Sequence, residues 1–331
     1  MSTGKSRADA NKAQEAGPER GPECGTMGSM KIVSLLPSAT EIVYALGLES
    51  ALVGVTEECD WPPEARTKRI VSRSSVPIAG SSPAEIDDVV ATTVAIGLPL
   101  YRIDDDAIRS IRPDVILAQD LCRVCAVPSG QINEALGRLG CSAEVVSLDP
   151  GTLDEVIDGI DEVGRAAGRE AEAVTDRLRA RAHKVAERTA ALRPVPTLAL
   201  EWPDPPFSGG HWIPEMVRLA GGRDVLGREG EPSRRVSWDA IADAAPEVIV
   251  YMPCGFGLED AAAQAAELFR TEAFASTPAA HEGRVFAVDA SSYMSRPGPR
   301  LVDGLEILAW ALHPDTWPHQ PADRVRRVES P

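Results

Sequence analysis

The chain has 331 residues, of which 44% are apolar and 25% charged, and it carries a net charge of −16. That length suits two domains with real hydrophobic cores, and no apolar run approaches the roughly 18 residues of a membrane-spanning helix. With 34 Lys and Arg against 50 Asp and Glu there is no basic footprint for nucleic acid or an anionic membrane, and 6 cysteines are too few for a disulfide-built scaffold.

Residues 1–29 are polar, charged and Gly-rich. They read as a disordered tail or an over-long gene start, with Met27 or Met30 as alternative starts. No apolar stretch of about 7–15 residues marks a secretory leader. Cys24 follows Pro-Glu rather than an apolar run, so no lipid anchor is expected there. At face value the protein is cytoplasmic with reduced thiols, and extracytoplasmic only if the start is misassigned.

Residues 30–150 then read as an N-terminal lobe. KIVSLL (31–36) is a strand, and PSATEIVYALGL is a helix with Ser38 or Thr40 as its N-cap and Gly47 as its stop. ALVGVT (51–56) is the next strand, completing a parallel α/β unit. RPDVILAQ (112–119) and AEVVSL (143–148) read as strands around the helix 129–140. Residues 151–193 read as linking helices, the second of them (within 169–193) of about 23 residues and so about 34 Å long at about 1.5 Å per residue. The C-terminal lobe, 194–314, has strands at 197–202, 247–253 and 284–290 and helices at 212–222 and 299–312. Residues 315–331 read as a second tail. The fold class is therefore α/β, two Rossmann-like lobes with parallel sheets joined by one long helix.

One echo relates the lobes. DAIRSIRPDVIL (106–117) matches DAIADAAPEVIV (239–250), each a short helix ending before Pro and a strand following at once.

Ligands of parallel α/β lobes bind outside the carboxyl ends of the strands. The segments expected there are PSATE (37–41), TEECDWPP (56–63), VSRSS (71–75), QDLCRVCAVP (119–128), EWPDPPFSGGHW (201–212), MPCGFG (252–257) and DASSYMSRPGPR (289–300). Trp61, Trp202, Trp212 and Trp238 fall in or beside them, offering flat surfaces to a ligand ring or caps to the strand ends.

Together, SLLPSATEIVYALGLESALVGVTEECDWPP, the RPDVILA strand, the linking helix, and the PPFSGG and PGPR segments resemble the helix-linked (class III) substrate-binding proteins of ABC importers, closest to the vitamin B12-binding (BtuF-type) branch. The resemblance spans about residues 30–313. It implies a cobalamin-like or other metal-chelate ligand in an inter-lobe cleft, no enzymatic activity, no required cofactor, and a monomer. It further implies a carboxylate on each lobe that docks onto arginines of an ABC permease, here Asp106 and Asp239. Carried over by position, Pro37, Ser38, Ala39, Trp61, Phe207 and Trp238 are ligand contacts, with Trp212 beside them. Family members often place a tryptophan in the loop where this chain has Arg73, a departure at the ligand face.

The cysteines are a second departure. Cys59, Cys122, Cys125 and Cys254 all fall in expected cleft loops, and C-R-V-C has the spacing of zinc, iron–sulfur and redox sites. Four thiolates, with His211 as a substitute, would hold Zn or an Fe–S cluster; the alternative is small buried residues in tight loops. A competing reading is thus a cytoplasmic metal-, cluster- or tetrapyrrole-handling protein, or a thiol-dependent enzyme, on the same fold. A nucleotide-sugar or dinucleotide enzyme is the third, and it lacks a phosphate loop.

Overall fold

The computed structural model describes residues 30–76, 80–120, 129–139, 142–317 and 321–330. The N-terminal lobe comprises β1 (Ile32–Ser34), α1 (Pro37–Ala45), β2 (Leu52–Thr56), β3 (Arg69–Ser74), α2 (Pro83–Ala95), β4 (Tyr101–Ile103), α3 (Asp105–Ile111), β5 (Val115–Ala118), α4 (Ser129–Leu139) and β6 (Glu144–Ser147). Two helices follow, α5 (Leu153–Ala166) and α6 (Glu172–Thr189). The C-terminal lobe has β7 (Val195–Pro203), β8 (Pro206–Ser208), α7 (Ile213–Leu219), β9 (Gly222–Asp224), β10 (Arg234–Arg235), α8 (Trp238–Ala244) and β11 (Val248–Tyr251). It closes with α9 (Leu258–Leu268), α10 (Glu272–Ala275), α11 (Pro278–His281), β12 (Val285–Val288), α12 (Ala290–Tyr293), α13 (Leu301–Leu312) and β13 (Val325–Val328).

The first sheet runs β4-β3-β2-β1-β5-β6, parallel except for β4. The second runs β10-β8-β7-β11-β12-β13, with β9 also on β7. Its centre is parallel, but β8, β10 and β13 run antiparallel to their neighbours, so this lobe is mixed rather than purely parallel. The strands carry apolar residues on both faces because both faces are covered. In β11, Val248 and Val250 face the core under α7 and α13, while Ile249 and Tyr251 face the core under α8 and α9.

The sequence echo is a structural repeat. Helix α3 is capped by the Asp104 side chain and α8 by that of Ser237. Both are seven residues long, and both end on a left-handed residue, Arg112 at φ 51° and Ala245 at φ 45°. Each then passes through Pro into a four-residue central strand, β5 or β11. Such φ values are costly for residues with a Cβ. Their recurrence at equivalent positions marks a shared way of turning from helix to strand.

The link departs from one long helix. Residues 167–171 interrupt it, and α6 has 18 residues rather than the expected run of 169–193. Both helices straddle the two cores. In α5, Leu153 and Val156 pack into the C-terminal core while Ile157, Ile160 and Val163 pack into the N-terminal one. In α6, Leu178 packs into the N-terminal core and Val185 into the C-terminal one.

Two further expectations are corrected. The segment 315–331 is not merely a tail, because β13 pairs with β12 and buries Val325 and Val328. VSRSS is not a loop, because β3 runs through Ser74 and Arg73 pairs in register with Arg102. Residues 1–29, including Cys24, lie outside the described residues.

Candidate functional site

The two lobes meet along a seam built from α1 on one side and the chain just before α13 on the other. Helix α1 begins with Pro37 at its first turn and has Leu36 as N-cap, with no side-chain cap. Ser38 and Thr40, expected as caps, are buried inside the helix, and the Thr40 hydroxyl donates to Ser34 Oγ at 2.9 Å. Ser38 and Ala39 are 2% and 0% exposed, and the Ser38 backbone lies against Gly298 of the other lobe.

Glu41, the one charged residue of α1, makes a two-pronged contact across the seam. Arg300 donates to both oxygens of Glu41, at 2.9 and 2.6 Å. Arg296 donates to Asp60 at 2.5 Å and to the Glu58 carbonyl at 3.3 Å, and lies 3.6 Å from Glu41. Burial pushes the Glu41 carboxyl up, and Arg300 and Arg296 pull it back by less. Burial likewise raises Glu58. Trp61 lies over this network, with the Arg300 guanidinium 4.9 Å from its ring centre. The motifs PSATE and PGPR were visible in the sequence, but pairing their charges, 259 residues apart, needed the fold.

A cavity of about 100 Å³ lies between the lobes. Gln119 lines it from the N-terminal lobe; Glu201, His211, Trp212, Ser233 and Cys254 are among its C-terminal wall. Glu201 accepts from the Gly210 amide at 3.0 Å and from the Ser233 hydroxyl at 2.5 Å. Gly210 is required there, because a Cβ would sit 2.1 Å from the Ser233 nitrogen. His211 follows at φ 51°, its Nε2 buried with no partner among the described residues, and burial lowers its pKa. A larger recess of about 280 Å³ against α5 is lined by Asp149, Glu155, Asp158 and Glu162 and by none of the expected ligand contacts.

The other expected contacts are dispersed. Trp212 is core, its indole N–H donating to the Met294 carbonyl at 2.9 Å, although it also walls the cavity. Trp238 packs edge-on against Phe274 at 6.2 Å. Phe207 lies beneath Arg235, 5.6 Å from its ring centre, and Arg235 pairs across the lobes with Asp87 of α2 at 2.6 Å. Arg73 is exposed and pairs with Glu57 at 3.2 Å. Asp106 and Asp239 are both exposed in the first turns of the two repeated helices, and Asp106 is paired with Arg109.

Two of the four expected cysteines lie among the described residues. Cys59 is 2% exposed, with its Sγ bonded to the Thr40 and Thr56 hydroxyls at 3.1 and 3.2 Å, and burial raises its pKa. Cys254 is exposed in the other lobe. Cys122 and Cys125 lie outside the described residues. Among the described residues no group of three His, Cys, Asp or Glu could hold a metal ion.

A family model described as "Periplasmic binding protein" matches residues 32–291. The chain belongs to the periplasmic binding protein family. It is similar to the vitamin B12-binding protein of Vibrio cholerae, 26% identical over 289 residues, covering 83% of this chain and 86% of that one. It is also 26% identical over 296 residues to an ABC transporter substrate-binding lipoprotein of Bacillus subtilis, covering 87% and 81% of the two chains. A periplasmic heme-binding protein of Pseudomonas aeruginosa shares the fold, at 23% identity and a TM-score of 0.63 over 86% of this chain and 93% of that one. These matches are to substrate-binding proteins rather than enzymes. Membership also corrects the cytoplasmic expectation: the family is periplasmic by description, and a relative of nearly full coverage is a lipoprotein. The cytoplasmic expectation rests on residues 1–29, whereas residues 32–291 match the family.

Proposed function

We propose that this protein binds a cobalamin-like metal chelate between its lobes and presents it to an ABC permease. The similarity to the Vibrio cholerae vitamin B12-binding protein, through both lobes and the helices between them, is the observation that carries this reading. The inter-lobe cavity of about 100 Å³ is well below the roughly 300–1,000 Å³ of small-molecule sites, so the ligand enters a widened cleft. The seam of Glu41, Arg296 and Arg300 is what such widening must accommodate. Asp106 and Asp239 are the docking acids of this reading: they are exposed and occupy equivalent places in the repeat.

Calorimetric titration with cyanocobalamin and hydroxocobalamin tests the ligand. One-to-one binding at micromolar affinity or tighter, about −8 kcal/mol or beyond, is expected. No heat with either at high micromolar concentration would overturn the reading. Hemin belongs in the same series, and binding of hemin alone would move the ligand class from corrinoid to porphyrin. For the docking acids, Asp106→Ala with Asp239→Ala should keep cobalamin affinity while failing to stimulate ATP hydrolysis by a reconstituted cobalamin permease.

A further inference from the structure

His211 is held in an unusual way for a residue with no structural bond through its ring nitrogen. Its backbone sits in the left-handed region at φ 51°, where a side chain beyond Cβ is disfavoured. The position is fixed from both sides. The His211 amide donates to the Glu231 carbonyl at 2.6 Å, and its own carbonyl accepts from the Gly230 amide at 3.0 Å. Gly210, immediately before it, leaves room for the passing 232–233 backbone. All of these contacts lie within the C-terminal lobe, so the placement of His211 does not depend on lobe closure.

What this geometry holds in place is an imidazole on the wall of the inter-lobe cavity, with Gln119 contributed to the same cavity by the other lobe. Its Nε2 is buried and has no partner among the described residues. Either tautomer leaves an unmet demand, a donor without an acceptor or a lone pair without a donor. A neutral imidazole carries a bare lone pair on one nitrogen.

A neutral imidazole is a good ligand for transition metals. A single donor cannot hold a free ion, and no trio of His, Cys, Asp and Glu exists among the described residues. A metal that meets this imidazole must therefore bring its other ligands with it. We propose that His211 Nε2 is an axial ligand to the metal of a chelate bound between the lobes. In the coordination step the metal–nitrogen bond forms as the bond from the metal to an axial water breaks; the water leaves intact and the metal keeps its oxidation state. The inference rests on the chelate-binding reading above and names the contact that reading lacks.

Hydroxocobalamin and diaquocobinamide have exchangeable axial water, whereas the upper axial position of cyanocobalamin is blocked by cyanide. On binding the wild-type protein, the first two should show the visible-band shift of imidazole coordination. The test variant is His211→Gly, which relieves the left-handed φ and so keeps the loop unstrained. It should lose the spectral shift and weaken hydroxocobalamin binding about tenfold more than it weakens cyanocobalamin binding. Added free imidazole should restore the shift in the variant. If the wild type binds all three corrinoids with unchanged spectra, the axial-ligand inference falls and the cleft reading stands. If the variant weakens cyanocobalamin as much as hydroxocobalamin, His211 is structural and the inference again falls. If the wild type binds no corrinoid, both fall.

Discussion

Glu41 and Arg300 meet through two hydrogen bonds although 259 residues separate them, and both side chains are almost out of solvent, at 3% and 14% exposure. Removing Glu41 takes from Arg300 its carboxylate, and removing Arg300 leaves Glu41 only Arg296 at 3.6 Å; breaking such a buried pair costs about 3–5 kcal/mol. Glu41→Ala and Arg300→Ala should each lower the urea-derived stability by that order, and the double variant by much less than their sum. Additive losses would mean that each side chain is held by other contacts. Asp224 gives a pH-dependent case. Its Oδ1 accepts from the Leu226 and Gly227 amides at 3.0 and 2.6 Å, while Oδ2 is buried without a partner among the described residues. Burial pushes its pKa up to about 6 from 3.8. A raised folded-state pKa stabilises fully below the unfolded value, and that contribution is lost as pH rises through the folded one. Ionised Asp224 therefore weighs against folding above about pH 6, by about 3 kcal/mol at about 1.4 kcal/mol per pKa unit. Asp224→Asn keeps the Oδ1 contacts. It should raise the urea midpoint at pH 8 and leave it unchanged near pH 4. A constant offset across that range would assign the effect to packing.

At the scale of elements, α2 is the exception to the way this chain makes helices. None of its 13 residues is fully buried. Among the described residues, the exposed large apolar side chains other than Trp61 fall in or just after it: Val89, Val94, Ile96 and Leu98. It is held by the Ser82–Glu85 capping box and by the Asp87–Arg235 pair to the other lobe. A helix with so little buried area opens locally, below the global unfolding free energy. Ser82→Ala should speed amide exchange across 83–95, with the melting temperature unchanged within about 1 °C; a global loss of stability would show that α2 is coupled to the cores. The same lack of burial explains why α2 was not legible in the sequence, since a helix that buries so little shows no apolar stripe; β4, at three residues, is too short to show a period. Strand β13 was hidden for a related reason, since its two arginines mask the outer pair of buried valines. By contrast α1, β5, α7, β11 and α13 were legible, because each faces a core with a clear period or run. The α3/α8 repeat was legible through its Pro and apolar letters. Its left-handed ends at Arg112 and Ala245 were not, since neither residue type announces that geometry. The site divided the same way. Loop membership was readable for Trp61 and His211, whereas Phe207 lies in β8, and burial decided that Trp212 and Trp238 pack largely inward and that Cys59 is a core thiol hydrogen-bonded to threonines.

Across the whole molecule, the lobes are held together by two kinds of contact with different responses to strain. Helices α5 and α6 contribute apolar residues to both cores, so they bind the lobes through packing that does not depend on the cleft. The seam at α1 and the Asp87–Arg235 pair are electrostatic and lie where the lobes face each other. Widening for a ligand is therefore expected to rotate the lobes about α5 and α6 while the ion pairs lengthen or exchange partners. Cobalamin at about 100 times its Kd should stabilise the protein by about 2.7 kcal/mol if it binds only the folded form, readable as a raised thermal midpoint. Trp61 has a practical value in the same event. It alone among the 6 tryptophans is exposed, at 46%, and it stands at the seam with the Arg300 guanidinium over its ring. Iodide in solution quenches chiefly the indole it can reach, so the Stern–Volmer slope of intrinsic fluorescence is a built-in gauge of seam opening. Glu41→Ala should steepen that slope while the far-ultraviolet circular dichroism stays the same.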